Sequence, residues 1–200
     1  MGEKMLVVLK FICAVLLIPM VIATVLALEL GVGKLHPEIQ QAIITGTIAY
    51  VLMKFFIYDF DAVYKFGQNM VGSCFQFLKP VMDFAPYVIP IYTLLVIIAY
   101  VIVNAMNKLG SYEPLFVTVI AFTFAMHVIL TAQDLYNKDT TPGKPNYFFA
   151  MGLIFIVDVF LMVMLFSLAG KGLSFVQFFQ GLSTTSGNIY TAVFKQLFVR

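Results

Sequence analysis

MLVVLKFICAVLLIPMVIATVLAL, Met5 to Leu28, carries Lys10 as its one charged residue, and this stretch decides the class of fold. As a helix it would be about 36 Å long, enough to cross the roughly 30 Å hydrocarbon core of a bilayer. It is too long for the apolar part of a cleaved signal, and it has a lysine inside it, so it reads as a first span that stays in the membrane. Lys10, near the start, can reach the headgroups along its four-carbon stem. Gly2 invites a myristoylation reading, but Leu6 stands where Ser or Thr is preferred, and that reading is set aside.

The rest of the chain has the same character. Of 200 residues, 62% are hydrophobic and 11% charged, against about 25% charged in a soluble domain. A water-soluble fold of this size could not hide so much apolar surface. The net charge of +2 is too small to argue for nucleic acid or an acidic partner. Cys13 and Cys74 sit in apolar sequence without a Cys-x-x-Cys spacing and read as small hydrophobes. Tryptophan is absent, so ten tyrosines and 21 phenylalanines must supply any interfacial belt.

The expected fold is all-α: a polytopic membrane protein of about five spans. After Met5 to Leu28 come Gln41 to Ile57, Val81 to Met106, Leu115 to Thr131 and Tyr147 to Leu168. Pro86 and Pro90 should kink the third span or open it with a non-helical segment. Between the second and third, residues 62–78 have helical periodicity but are too polar for lipid and too apolar for water. They read as a helix buried among others or lying at the interface. Gln133 to Asn146 reads as a polar loop. Residues 1–170 form a transmembrane domain, and 171–200 an amphipathic tail lying on the membrane or on a partner. Its Phe175, Phe178, Phe179, Phe194 and Phe198 are the expected contact residues. With five crossings and the N-terminus inside, seven lysines fall on inner segments. Five basic residues, Lys195 and Arg200 among them, fall on outer ones, and the excess favours N-inside.

Asp158 stands out chemically, in the middle of Ile154-Phe155-Ile156-Val157-Asp158-Val159-Phe160-Leu161. An ionised carboxylate there costs several kcal/mol unless it is paired. It reads either as part of an ion or proton path or, more plainly, as polar glue between helices. His127, in the fourth span, could pair with Asp158, and Asp134 shares its helical face. A metal reading would join His127, Asp134 and Asp158, and a haem reading would pair His127 with His36. Spacing alone meets neither geometry. His127 reads first as a satisfied polar residue inside the bundle. Nucleophile elbows, phosphate loops and dinucleotide fingerprints are absent.

Val63-Tyr64-Lys65-Phe66-Gly67-Gln68-Asn69-Met70-Val71-Gly72-Ser73 resembles a decayed form of Phe-Gly-His-Glu-x-x-His, the motif of the site-2 protease-like membrane zinc metallopeptidases. Ala85-Pro86-Tyr87 and Pro90-Ile91-Tyr92 are similar to that group's Ala-Pro-Tyr segment. His127 to Thr131 with Asp134-Leu135 is similar to its later His-containing helix and Asp-Leu turn. In those peptidases two histidines bind zinc and the intervening glutamate is the general base. At the matching positions this chain has Gln68, Asn69 and Gly72, so the resemblance implies a degenerate member without metal, cofactor or peptidase activity.

The expected function is therefore non-catalytic. The chain would scaffold or stabilise a larger complex in a membrane, the bacterial inner membrane by the resemblance. Its partners would be lipid and other membrane subunits, with no nucleic acid. The alternative is a transporter or proton-pathway component using Asp158, His127 and Glu29.

Overall fold

The computed structural model describes residues 2–76, 84–141, 143–168 and 173–198; of Glu3 and Leu168 it describes the backbone alone. Among the described residues there are eight α-helices and one 3-10 turn: α1 (Gly2–Val32), α2 (Pro37–Phe56), α3 (Asp61–Cys74), α4 (Ala85–Val88), α5 (Ile91–Ala105), the turn Gly110–Tyr112, α6 (Glu113–Lys138), α7 (Pro145–Leu168) and α8 (Phe175–Phe198). Four helices, α1, α2, α6 and α7, are long and apolar enough to cross a membrane. The chain is an all-α membrane protein. It divides into two compact units, His36–Gln133 and the combination of Met1–Leu35 with Asp134–Arg200.

The first unit is built where α2 meets α6. A Cβ on Gly46 would lie 2.1 Å from the Thr118 carbonyl oxygen, so only glycine allows the two backbones this approach. One turn further on, Tyr50 packs edge-on to Phe122, with ring centroids 5.4 Å apart. Gly46 beside Thr118 and Tyr50 beside Phe122 mean that α2 and α6 run parallel. Tyr50, Tyr64, Ala125, Met126 and Leu130 form the buried core, with Phe60 and Phe122 packed around it.

Parallel α2 and α6 require an odd number of crossings between them. A chain that leaves α2 on one face of the bilayer must cross again before it can begin α6 from the face where α2 began. Among the described residues the remaining apolar helix is α5, Ile91–Ala105. Its 15 residues extend about 22 Å, shorter than the roughly 26-residue third span expected from sequence. The prolines are the reason. Pro90 has no N–H to donate to the Pro86 carbonyl, so the helix stops at Val88 and restarts at Ile91. The start of the expected span at Val81, and the end of the helix expected over 62–78, lie outside the described residues.

In the second unit α1 and α7 are also parallel. Lys10 Nζ donates to Asn146 Oδ1 at 2.8 Å, and further along Gly152 faces Leu17 and Val21. α8 runs the other way along α1. Lys34 Nζ reaches Gln177 Oε1 at 3.4 Å, Gly181 lies against Ala27, and Tyr190 Oη donates to the Leu16 carbonyl at 2.7 Å. The tail is thus one continuous amphipathic helix laid antiparallel along α1. The boundary expected at 170/171 falls outside the described residues.

The fourth span is longer than expected. α6 runs on to Lys138 and takes in the first residues of the expected polar loop, because Asp134 and Lys138 close an i,i+4 ion pair at 2.9 Å. The remaining loop is tied down by Asp139. Its carboxylate accepts from the Thr141 hydroxyl, the Thr141 N–H at 3.0 Å, the Tyr147 N–H at 3.0 Å and Asn146 Nδ2 at 3.4 Å. Burial opposes ionisation here, but these donors outweigh it and hold the carboxyl well below the usual carboxylate range.

Candidate functional site

The residues of the degenerate motif lie on α3, and helical geometry separates them. Tyr64, Gly67 and Val71 form the buried face of α3, with Gln68 half-buried beside them. Asn69 is exposed, and a Cβ on Gly72 would meet nothing within 4 Å. Only Gln68 of the three takes part in a site. Gln68 Nε2 donates to Tyr64 Oη at 2.6 Å, and Tyr64 Oη shares a hydrogen bond with Thr131 Oγ1 at 2.7 Å. Tyr92 Oη donates to the Val63 carbonyl at 2.6 Å, tying α5 to α3. The approach is close: a Cβ on Gly67 would lie 2.7 Å from the Tyr92 ring.

His127 joins this cluster from α6. It is buried, and its Nε2 lies 3.1 Å from the Tyr87 carbonyl oxygen. A carbonyl can only accept, so Nε2 carries the proton. In an unbroken helix the Tyr87 carbonyl would receive the N–H of Ile91, and the break at Pro90 removes that donor. His127 thus satisfies a backbone group orphaned by the proline. His127, Gln68, Tyr64 and Pro90 line a cavity of about 10 Å³, room for about one water molecule.

This arrangement joins helices and offers little chemistry. One imidazole, one amide and the hydroxyls of Tyr64, Thr131 and Tyr92 are present, and among the described residues no carboxylate joins them. Among the described residues no group of three or more His, Cys, Asp or Glu side chains gathers to hold a metal ion. The haem pairing fails on geometry. His36 precedes α2 at its N-terminal end, whereas the pairing of Gly46 with Thr118 sets His127 level with the helix's other end. Asp134 is engaged by Lys138 on the surface of α6.

Asp158 belongs to the other unit and is fully buried in the middle of α7, on one face with Ile154. The register of Gly152 against Leu17 and Val21 places it level with Ala23 to Ala27 of α1. Glu29, its partner in the proton-path reading, is exposed. The cysteines are free, Cys13 half-buried and Cys74 exposed, so Cys74 is not the buried residue its apolar context suggests.

The phenylalanines of α8 divide into two groups. Phe160 of α7 is ringed by Phe175, Phe178 and Phe179 at 6.0, 5.5 and 6.1 Å. Phe178 is fully buried there and works inside the chain. Phe194 and Phe198 are exposed and stack on each other at 4.9 Å. Sequence reading had singled out none of the polar residues between them. Gln180, Ser183, Thr184, Gly187, Asn188 and Thr191 recur at helical spacing, and all are exposed. The opposite face carries the buried Phe178 and Leu182. The spacing of the polar residues was readable, but their depth depends on α8 lying along α1. No family model matches this chain, and no curated protein or solved structure matches it.

Proposed function

We propose that the chain is a non-catalytic subunit that stabilises a larger complex within the membrane. The observation that carries this reading is the outer face of α8. The pairs Gly181 with Ala27 and Tyr190 with Leu16 set Ser183 to Asn188 level with the middle of α1. There the outer face is polar, while Val176 and Phe179 at one end and Phe194 and Phe198 at the other are exposed and apolar. Lipid demands the reverse order. Amides and hydroxyls left in hydrocarbon cost several kcal/mol each. A neighbouring transmembrane helix with small and polar residues supplies the missing hydrogen bonds and allows close approach. The polar cluster around Gln68 and His127 supports the same reading, since its bonds are spent on holding α3, α6 and the broken helix together.

The path of α8 also bears on orientation. It brings Lys195 to the side where α1 begins, although the five-crossing count had placed it opposite. Counting crossings along the chain, Lys4, Lys10, Lys54, Lys65, Lys138, Lys144 and Lys195 of the described residues would fall on one side of the membrane, against Lys34 and Lys108 on the other. This excess favours a cytoplasmic N-terminus.

A photo-crosslinking amino acid in place of Thr184, introduced in native membranes, tests the reading. It should give one discrete protein adduct, while the same probe at the lipid-facing Ile12 gives none. The double substitution Ser183→Leu and Asn188→Leu should abolish the adduct and leave the chain folded. Lipid adducts alone at both positions would sink the proposal. Deleting the tail is a poorer test, because loss of Phe178 and Tyr190 would also strip packing from α7 and α1.

A further inference from the structure

An apolar groove of about 420 Å³ runs between α1 and α7. Ala14, Leu17 and Val21 line one wall, and Phe148, Met151 and Gly152 the other. From Phe11 to Ile22 it extends about 17 Å, close to half of the roughly 30 Å hydrocarbon core, the depth one leaflet's chains fill. At one end stands Lys10. Its Nζ is bound to the neutral Asn146 Oδ1, and among the described residues no carboxylate lies within ion-pair distance. Asp139 is the acid nearest along the hydrogen bonds, through Asn146, and it is occupied by Thr141 and the Tyr147 N–H. Lys10 thus brings to the mouth of an acyl-sized groove a positive charge that has no direct ion pair among the described residues, with Asp139 reached only through Asn146.

We infer that this groove is a site for one anionic glycerophospholipid, with an acyl chain between α1 and α7 and the phosphate on Lys10. A bilayer does not leave such a volume empty, and a chain lying in it keeps the apolar walls dry. The lysine then distinguishes acidic from zwitterionic headgroups, as juxtamembrane cations do. A helix is a poorer occupant, because a backbone cylinder with its side chains is about 10 Å wide and would have to drive α1 from α7, whose own bond at Lys10 to Asn146 is already closed.

Native mass spectrometry of the full chain in mild detergent, titrated with phosphatidylglycerol or with phosphatidylcholine of the same acyl chains, tests the site. The wild type should retain one phosphatidylglycerol per chain and prefer it about fivefold. Lys10→Gln should bring phosphatidylglycerol down to the level of phosphatidylcholine. Gly152→Leu should abolish retention of both, since the Gly152 Cβ would meet Leu17 and Val21 only at ordinary contact distances, 3.7 Å and beyond, and the longer side chain would fill the groove. Circular dichroism of each variant confirms that it is folded. An unchanged headgroup preference in Lys10→Gln would overturn the proposal. So would no retained lipid in the wild type, or a protein segment crosslinked at Met151 in place of lipid.

Discussion

Two buried tyrosines show how differently one hydroxyl can act. Tyr64 Oη sits between Gln68 and Thr131 and joins α3 to α6. Tyr50 Oη is fully buried, with no hydrogen-bond partner among the described residues. Removing a bonded hydroxyl strands its neighbours, whereas removing an unbonded one removes a desolvation cost. Tyr64→Phe should therefore lose about 0.6–2 kcal/mol of stability. Tyr50→Phe should be neutral or gain up to about 1 kcal/mol. Unfolding titrations of the two variants in mixed micelles decide this, and equal losses would contradict the assignment. Gln68 was legible as a position from its motif context, but its role was not. That role depends on Tyr64 one turn earlier and on Thr131 from a distant helix. His127 was legible as a satisfied core residue, yet its partner, the Tyr87 carbonyl, becomes available only because Pro90 interrupts the helix.

The helices themselves follow from local signals that the sequence states openly. Pro37 at the first turn of α2, the prolines around α4 and the apolar runs of α1 and α7 fixed which segments are helical. Boundaries were less legible where an ion pair extends a helix past its apolar stretch, as Asp134 and Lys138 do for α6. Packing partners were not legible at all. Gly46 reads as one small residue among several until it meets the Thr118 carbonyl. Gly46→Ala should cost about 1–3 kcal/mol, the usual range for overpacking, and push α2 off α6. A variant as stable as the wild type would mean that the two helices do not touch. The loop after α6 has its own signature in pH. The Asp139 carboxyl is held below its ordinary value of 3.8, so its contribution is complete above that pH and is lost as pH falls through the window beneath it. The wild type should lose stability as pH falls below about 4 relative to Asp139→Asn, which lacks this titration. Parallel curves for the two proteins would show that the loop bonds carry no stability.

For the molecule as a whole, direction matters more than composition. Composition was sufficient for a helical membrane protein of about five spans. It did not show how short the helix of the third expected span is, Ile91–Ala105, or where the tail lies. Parallel pairing of α2 with α6 requires the α5 crossing. Antiparallel pairing of α8 with α1 sets its polar residues level with the middle of α1 and returns the C-terminal end of α8 to the end where α1 begins. Neither pairing can be read from hydropathy, because hydropathy records depth preference and is blind to direction. The proposed protein partner rests on that path, since α8 lying flat on the membrane would leave its polar face in water. Two-sided thiol labelling in membranes, with single cysteines at positions 108, 144 and 195 in a chain lacking Cys13 and Cys74, follows the path directly. The account predicts that positions 144 and 195 react from one face of the membrane and position 108 from the other. Position 195 reacting together with position 108 would contradict it.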